Sequence, residues 1–269
     1  RLIRRQRQMC IRDRCLSVFW WAKFRKKKGG IKVHTLYDVE TQIPAFFHIT
    51  EASVHDSKVM IEIPYEPSSY YIFDRGYNNF KILYKIHQIE AYFVVRAKKN
   101  LGYKSIQWKR RLPKNVLSDA SVFLTGFYHK QYYPEPLRLV KYWDEEQERE
   151  FTFITNAMHI SALQVAELYK NRWQVELFFK WLKQHLKIKR FWGTTENAVR
   201  IQIYAAICAY CLVAIIQHDM QLNRSTYEVL QILSISLTDK THLRDLFDKT
   251  KFQNDKERFG PNGPSLFNF

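Results

Sequence analysis

The sequence predicts an α/β domain with a mixed sheet. Three features predict it: β-branched and aromatic runs early in the chain, a buried run ending on Asp74, and a long amphipathic helical stretch after Ser161. With 269 residues, 46% hydrophobic and 16% aromatic, the chain can bury one large core or two smaller ones. Its 43 Lys and Arg against 26 Asp and Glu give a net charge of +17. A surface that positive attracts polyanions, so nucleic acid is the first partner to consider. A merely solvated positive surface is the alternative, because charge bears on partners and not on fold.

Taken in order, RLIRRQRQMCIRDR (1–14) carries six Arg with almost no apolar periodicity and reads as an atypical basic tail. From Cys15 onward, SVFWWAKF, IKVHTLYDV and IPAFFHITEA alternate with turn residues, the pattern of successive antiparallel strands. VHDSKVMIEI suggests a short helix. SSYYIFDRGY is a buried strand that delivers Asp74 at its C-terminal end; a helical stretch, NFKILYKIHQIE, and a second buried strand, AYFVVRAK, follow. Residues 98–150 change texture, with Lys, Arg, Tyr, Trp and three prolines, and read as a β-rich insertion between 15–97 and 151–248. FTFITNA is then a strand, and SALQVAELYKNRWQVELFFKWLKQHL one long helix with Ser161 as N-cap. Residues 249–269, rich in Gly, Pro and Asn, read as a flexible tail. The order β-β-β-α-β-α-β followed by a helix is that of the ribonuclease-H-like fold, one of several that fit.

Cys208 and Cys211 have metal-ligand spacing but sit in the apolar run IYAAICAYCLVAII without a second ligand pair, which favours core thiols. No disulfides are expected. The run from Ile201 to Ile216 is short for a membrane span, and the N-terminus lacks a signal-peptide core. A soluble, cytoplasmic protein without membrane contact is expected.

Tyr169, Arg172, Glu176 and Lys183 fall at offsets 0, 3, 7 and 14, which places them within an arc of roughly 60° on one helix face. Lys180 and Lys187 join that stripe, while apolar residues fill most of the remaining circumference. One carboxylate among cations suits phosphoryl transfer on DNA: the carboxylate can hold Mg²⁺ while the cations hold phosphates. An ordinary i,i+4 charge ladder is the competing reading. Asp74, at a strand end, supplies a second carboxylate from a different element. The alternative for FDRGYNN is an Asp-containing turn.

The spacing Y169-x2-R172-x3-E176-x6-K183 resembles the Y-R-E-K signature of IS-four-type transposases of bacterial insertion sequences, a group of the DDE superfamily. FDRGYNNF resembles the segment around that group's second catalytic Asp, and IKVHTLYD with ITEASVHDSK the strands before it. The resemblance spans about Cys15 to Phe191. It implies a ribonuclease-H-like catalytic domain with a β-rich insertion and Mg²⁺ or Mn²⁺ as cofactor. It also implies cut-and-paste transposition at inverted terminal repeats by a homodimer on double-stranded DNA, in a bacterial cytoplasm and associated with the nucleoid. Asp74 would be the second metal-binding Asp and Glu176 the third carboxylate, both catalytic. Tyr169, Arg172, Lys180 and Lys183 would contact DNA.

One departure is expected to matter. The group's first Asp lies on the first strand in an Asp-Ser-Thr-like stretch, and QRQMCIRDR stands there instead. Asp13 is flanked by Arg12 and Arg14, and Asp38 and Asp56 read as turn or capping residues. The position of a first catalytic Asp is therefore unknown. Residues 1–14 are read as foreign to the family and the chain as N-terminally truncated, with activity lost or very low. A catalytically inactive DNA-binding remnant or regulator is the alternative function. Lys26 to Lys28 read as an exposed hairpin tip, and Trp108, Tyr132, Tyr133 and Trp143 as either base-stacking or core aromatics.

Overall fold

The sheet begins earlier than the sequence suggests. In the computed structural model, which describes residues 3–11, 21, 30–186, 191–236 and 240–249 (3–11, 248 and 249 by their backbone), the basic segment read as a tail contains strand β1 (Ile3–Ile11). β1 pairs antiparallel with β2 (Ile31–Asp38) from Arg4↔Asp38 to Ile11↔Ile31. Seven of the eight β2 residues are buried, so both its edges need partners for their backbone groups. β3 (Pro44–Glu51) takes one edge and β1 the other. Pairing demand from neighbours thus overrides the low strand propensity of an Arg-rich segment. The strand expected over 17–24 lies outside the described residues except for Trp21, which is buried and donates its indole N–H to the Thr194 carbonyl at 3.3 Å. The Lys26 to Lys28 tip, Asp13 and Lys187 also lie outside the described residues, as does the tail beyond Lys249.

The next elements follow the expected order: α1 (Asp56–Val59), β4 (Tyr70–Phe73), α2 (Phe80–Gln88) and β5 (Tyr92–Arg96). β4 runs parallel to β1 and to β5. Period-two alternation sends three of its four buried residues to two cores. Tyr71 and Phe73 pack with Leu83 and Ile86 of α2, whereas Ile72 packs on the opposite face with Val94, Val165 and Tyr169. A parallel sheet covered on both faces explains why YYIF reads as an unbroken apolar run.

Residues 98–150 do not form a separate sheet. β6 (Tyr103–Trp108), β7 (Val116–Leu124), α3 (Phe127–Tyr132), β8 (Leu137–Asp144) and β9 (Arg149–Thr155) make an antiparallel meander whose last strand pairs with β5. The result is one nine-stranded sheet in the order β3-β2-β1-β4-β5-β9-β8-β7-β6. Arg138 of β8 is 2% exposed and clasps Asp119 of β7 with two bonds of 2.7 and 2.8 Å, while its third nitrogen donates to the carbonyls of Ala157 and Ile160. Burial alone would raise the Asp119 carboxyl, but Arg138 and Lys109 bring it below the usual carboxylate range.

The helical remainder comprises α4 (Ala162–Lys170), α5 (Trp173–His185), α6 (Glu196–Asp219), α7 (Thr226–Ile235) and α8 (Leu243–Lys249). The chain divides into two compact units, Arg1–Cys211 and Leu212–Phe269. In the second, Val213, Val229, Ile232 and Phe247 form a small core. α6 spans 24 residues, longer than the apolar run suggests, and among the described helices it is the one long and apolar enough to cross a membrane by length and composition. Cys208 is exposed and Cys211 half-buried, so the expectation of two core thiols does not hold.

Candidate functional site

Asp74 sits where the fully buried β4 ends. It N-caps the short 3-10 turn Arg75–Tyr77, and its Oδ1 accepts the Arg75 amide at 2.7 Å. The same oxygen accepts the Tyr169 hydroxyl at 3.2 Å, across 95 residues of sequence. Asn78 extends the tie to β5, its Nδ2 donating to the carbonyls of Arg75 and Arg96 at 2.8 Å each. The turn reading of FDRGYNN and the site reading therefore describe the same residues.

Ser161 begins the helical stretch with a full capping box: its hydroxyl accepts the Gln164 amide and the Gln164 side chain accepts the Ser161 amide. The single helix expected over 161–186 is instead α4 and α5, broken at Asn171 and Arg172. Both residues keep helical dihedrals, but bonds tighten to the three-residue type, Arg172 to Tyr169 and Gln174 to Asn171. The break does not scatter the stripe. The Arg172 guanidinium lies 5.5 Å from the centre of the Tyr169 ring, and its Nη2 pairs with Glu176 Oε1 at 2.9 Å.

Asp74, Tyr169, Arg172 and Glu176 are thus linked side chain to side chain. Lys180 and Lys183 lie one and two turns further along α5, Lys180 exposed and Lys183 half-buried. Tyr169 is 6% exposed. Burial, and then the Asp74 charge, push its phenol up to about 12 against the pull of Arg172 and Arg96. At neutral pH it is a hydrogen-bond donor.

The cations around this group are incompletely satisfied. Nε and Nη1 of Arg172, Nε of Arg75 and Nε of Arg96 are buried with no acceptor among the described residues. An unmatched buried donor costs about 1–3 kcal/mol, and more when charged, so several at one place signal a missing acceptor. Arg96 and Arg149 lie 4.8 and 4.4 Å from the centre of the Phe151 ring, which is 5.8 Å from Tyr169. A cavity of about 590 Å³ opens beside Arg172 and Arg149, its walls formed by Tyr142, Phe151, Tyr169 and Trp173 and its rim also carrying the carboxylates of Asp144 and Glu146. Aromatic walls edged with guanidinium groups suit phosphate and base contacts.

Arg96 was missed at the sequence level, although AYFVVRAK delivers it at a strand end as SSYYIFD delivers Asp74. Arg149 carries no such signal. Among the stacking candidates, Tyr133 is 1% exposed in the core against His87, Tyr84 and Phe93, which excludes it, whereas Trp108, Tyr132 and Trp143 are exposed. His55, not Asp56, caps α1, and Asp56 pairs with Lys32 at 2.9 Å.

For a divalent ion the donor set is partial. Mg²⁺ is commonly held by one or two carboxylates, with water and phosphate oxygens completing an octahedron, and carboxylate is the donor type that Asp74 and Glu176 supply. Among the described residues no group of three or more His, Cys, Asp or Glu is placed to hold a metal. β1 contains no Asp or Glu, and continuing its parallel register from Arg5↔Ile72 sets Arg7 level with Asp74.

Residues 17–212 match the family model described as the transposase DDE domain. A transposase of Sinorhizobium fredii, y4zB, is 36% identical over 233 residues, covering 84% of this chain and 64% of its own length. A transposase of insertion sequence element IS5377 from Geobacillus stearothermophilus is 31% identical over 192 residues, covering 71% of this chain and 51% of its own. This chain therefore spans between half and two-thirds of the length of these curated relatives. Among solved structures, a piggyBac transposase in a synaptic complex with hairpin DNA superposes with a TM-score of 0.55 at 14% identity. That superposition covers 99% of this chain and 58% of the other, a likeness of fold.

Proposed function

The chain belongs to the DDE transposases of bacterial insertion sequences, with a ribonuclease-H-like mixed sheet, and from that premise we propose that its Asp74–Tyr169–Arg172–Glu176 group is the DNA-processing centre. The observation that carries this reading is the linkage of the strand-end carboxylate to the helix stripe through Tyr169, with buried guanidinium donors left over. Asp74 and Glu176 would hold Mg²⁺ or Mn²⁺. The bound ion would supply Lewis-acid activation for cleavage and strand transfer at inverted terminal repeats.

The chain's own residues do the rest. Tyr169 donates its phenolic proton to Asp74 and fixes the carboxylate. Arg172, Arg96 and Arg75 offer charged N–H groups to the phosphates of double-stranded DNA, with Lys180 and Lys183 continuing the contact along α5. The aromatic walls keep water from the guanidinium groups and strengthen those contacts. Residues 15–97 and 151–248 constitute the catalytic domain, interrupted by 98–150. It works as a homodimer on DNA, in the bacterial cytoplasm next to the nucleoid.

A second reading is favoured by β1, which carries no carboxylate beside Asp74. Without a first Asp the ion would keep more water and be poorly positioned, and the chain would act as an inactive DNA-binding remnant or regulator. Residues 1–14 then stand in place of family sequence. A strand-cleavage assay on terminal-repeat DNA with Mg²⁺ or Mn²⁺ separates the readings. Metal-dependent nicking abolished by Asp74→Ala and Glu176→Ala supports the enzyme, and salt-sensitive binding without nicking supports the remnant. Robust cutting that survives Asp74→Ala contradicts the site.

A further inference from the structure

Lys32 and Asp56 form an ion pair that the DNA-contacting group does not use, and both are mostly buried, at 12% and 16% exposure. Lys32 Nζ, reaching from the second residue of β2, donates to the Val54 carbonyl at 2.6 Å and to Asp56 Oδ1 at 2.9 Å. It thereby fastens the turn before α1 to the sheet. The other carboxylate oxygen of Asp56 faces the turn that carries Asp74: a Cβ added at Gly76 would lie 3.1 Å from Oδ2. Gly76 is the middle residue of the 3-10 turn whose first amide, that of Arg75, holds Asp74 Oδ1.

The approach is close enough that a residue at position 76 with a side chain would push against the Asp56 carboxylate. We propose that the Lys32–Asp56 pair is a brace for Asp74. Lys32 holds the Asp56 carboxylate against Gly76, and this sets how the 74–77 turn sits over the end of β4. The Asp74 carboxylate is thereby presented to Tyr169 and to a divalent cation. Asp56 is a positioning residue and acts through Gly76. Its consequence for metal binding rests on the proposed role of Asp74, whereas the geometry of the brace does not.

The test uses the full chain and two readouts: the Arg75 amide proton shift by NMR, which reports the bond to Asp74, and Mn²⁺ affinity by calorimetry. Gly76→Ala is expected to move the Arg75 resonance and weaken Mn²⁺ binding by about 10- to 100-fold, the range for partners that orient a ligand. In an Asp56→Ala background, which removes the obstructing oxygen, the same substitution should add less than about twofold, because the two changes share one contact. Lys32→Met should reproduce Asp56→Ala, and Lys32→Arg should stay near wild type; this pair carries the test if Gly76→Ala does not fold. Equal effects of Gly76→Ala in both backgrounds, or an Arg75 resonance unmoved by Lys32→Met, overturns the brace. Asp74→Ala is the control: unchanged Mn²⁺ affinity there would refute the metal reading, while the Arg75 shift still decides the brace.

Discussion

Two arginines of one sheet and its helix, Arg138 and Arg172, each pair with a carboxylate at under 3 Å, yet they do different work. Arg138 spends all three nitrogens: two bonds to Asp119 and the rest on the carbonyls of Ala157 and Ile160. Arg172 commits one nitrogen to Glu176 and leaves two buried without an acceptor among the described residues. A closed pair holds a fold together, and an open pair keeps donors for something that arrives. The pair around Arg138 is therefore closed, and the helix break around Arg172 keeps two donors for the DNA contact proposed above.

The largest expected effect breaks the closed pair. Arg138→Met leaves the buried Asp119 carboxylate with the half-exposed Lys109 at 3.2 Å as its remaining charged partner among the described residues, and urea denaturation should register a loss of about 3 kcal/mol, the low end for a broken buried pair. Pairing it with Asp119→Leu should recover much of that loss. A loss below 1 kcal/mol for the single change would show that Arg138 is not closed in this sense.

His34 sharpens the comparison from another side. Burial, with Lys32 and His48 nearby, pushes it down to about 3, so it is neutral in the folded chain. The unfolded chain binds a proton there below about 6.5, and folding stability should therefore fall as pH drops from 6.5 toward 3, by at most about 1.4 kcal/mol per pH unit from this group. His34→Gln should flatten that part of the pH profile measured by denaturant titration.

Ser161→Ala removes the capping box that starts α4, with an expected cost of about 1 kcal/mol in the same measurement. Smallest of all in stability is Arg172→Gln, because the change that loses the pair with Glu176 also removes two buried nitrogens without an acceptor among the described residues, whose burial already costs stability. Its effect should appear in DNA binding instead.

Much of this was legible in advance, because burial on both faces leaves a mark on sequence. YYIF and YFVV read as buried strands and end on Asp74 and Arg96. The stripe of Tyr169, Arg172 and Glu176 survived a helix break that no Gly or Pro announces, since Asn171 and Arg172 keep helical dihedrals while only the bonding tightens. β1 was not legible: its strand character comes from the open edges of β2 and β4, and an Arg-rich run carries no alternation to reveal it. Asp56 was misread for a related reason. Its partner Lys32 is 24 residues away, and a local capping pattern cannot show a bond across the sheet.

The most direct test of the central claim is the salt dependence of binding to duplex DNA, compared between wild type, Arg172→Gln, Arg96→Gln and Arg138→Met at temperatures where each is folded. If Arg172 and Arg96 hold phosphates, each glutamine change should reduce the slope of log K against log salt by about 0.9 and weaken binding, while Arg138→Met leaves the slope alone. Slopes for Arg172→Gln and Arg96→Gln that match wild type would contradict the account.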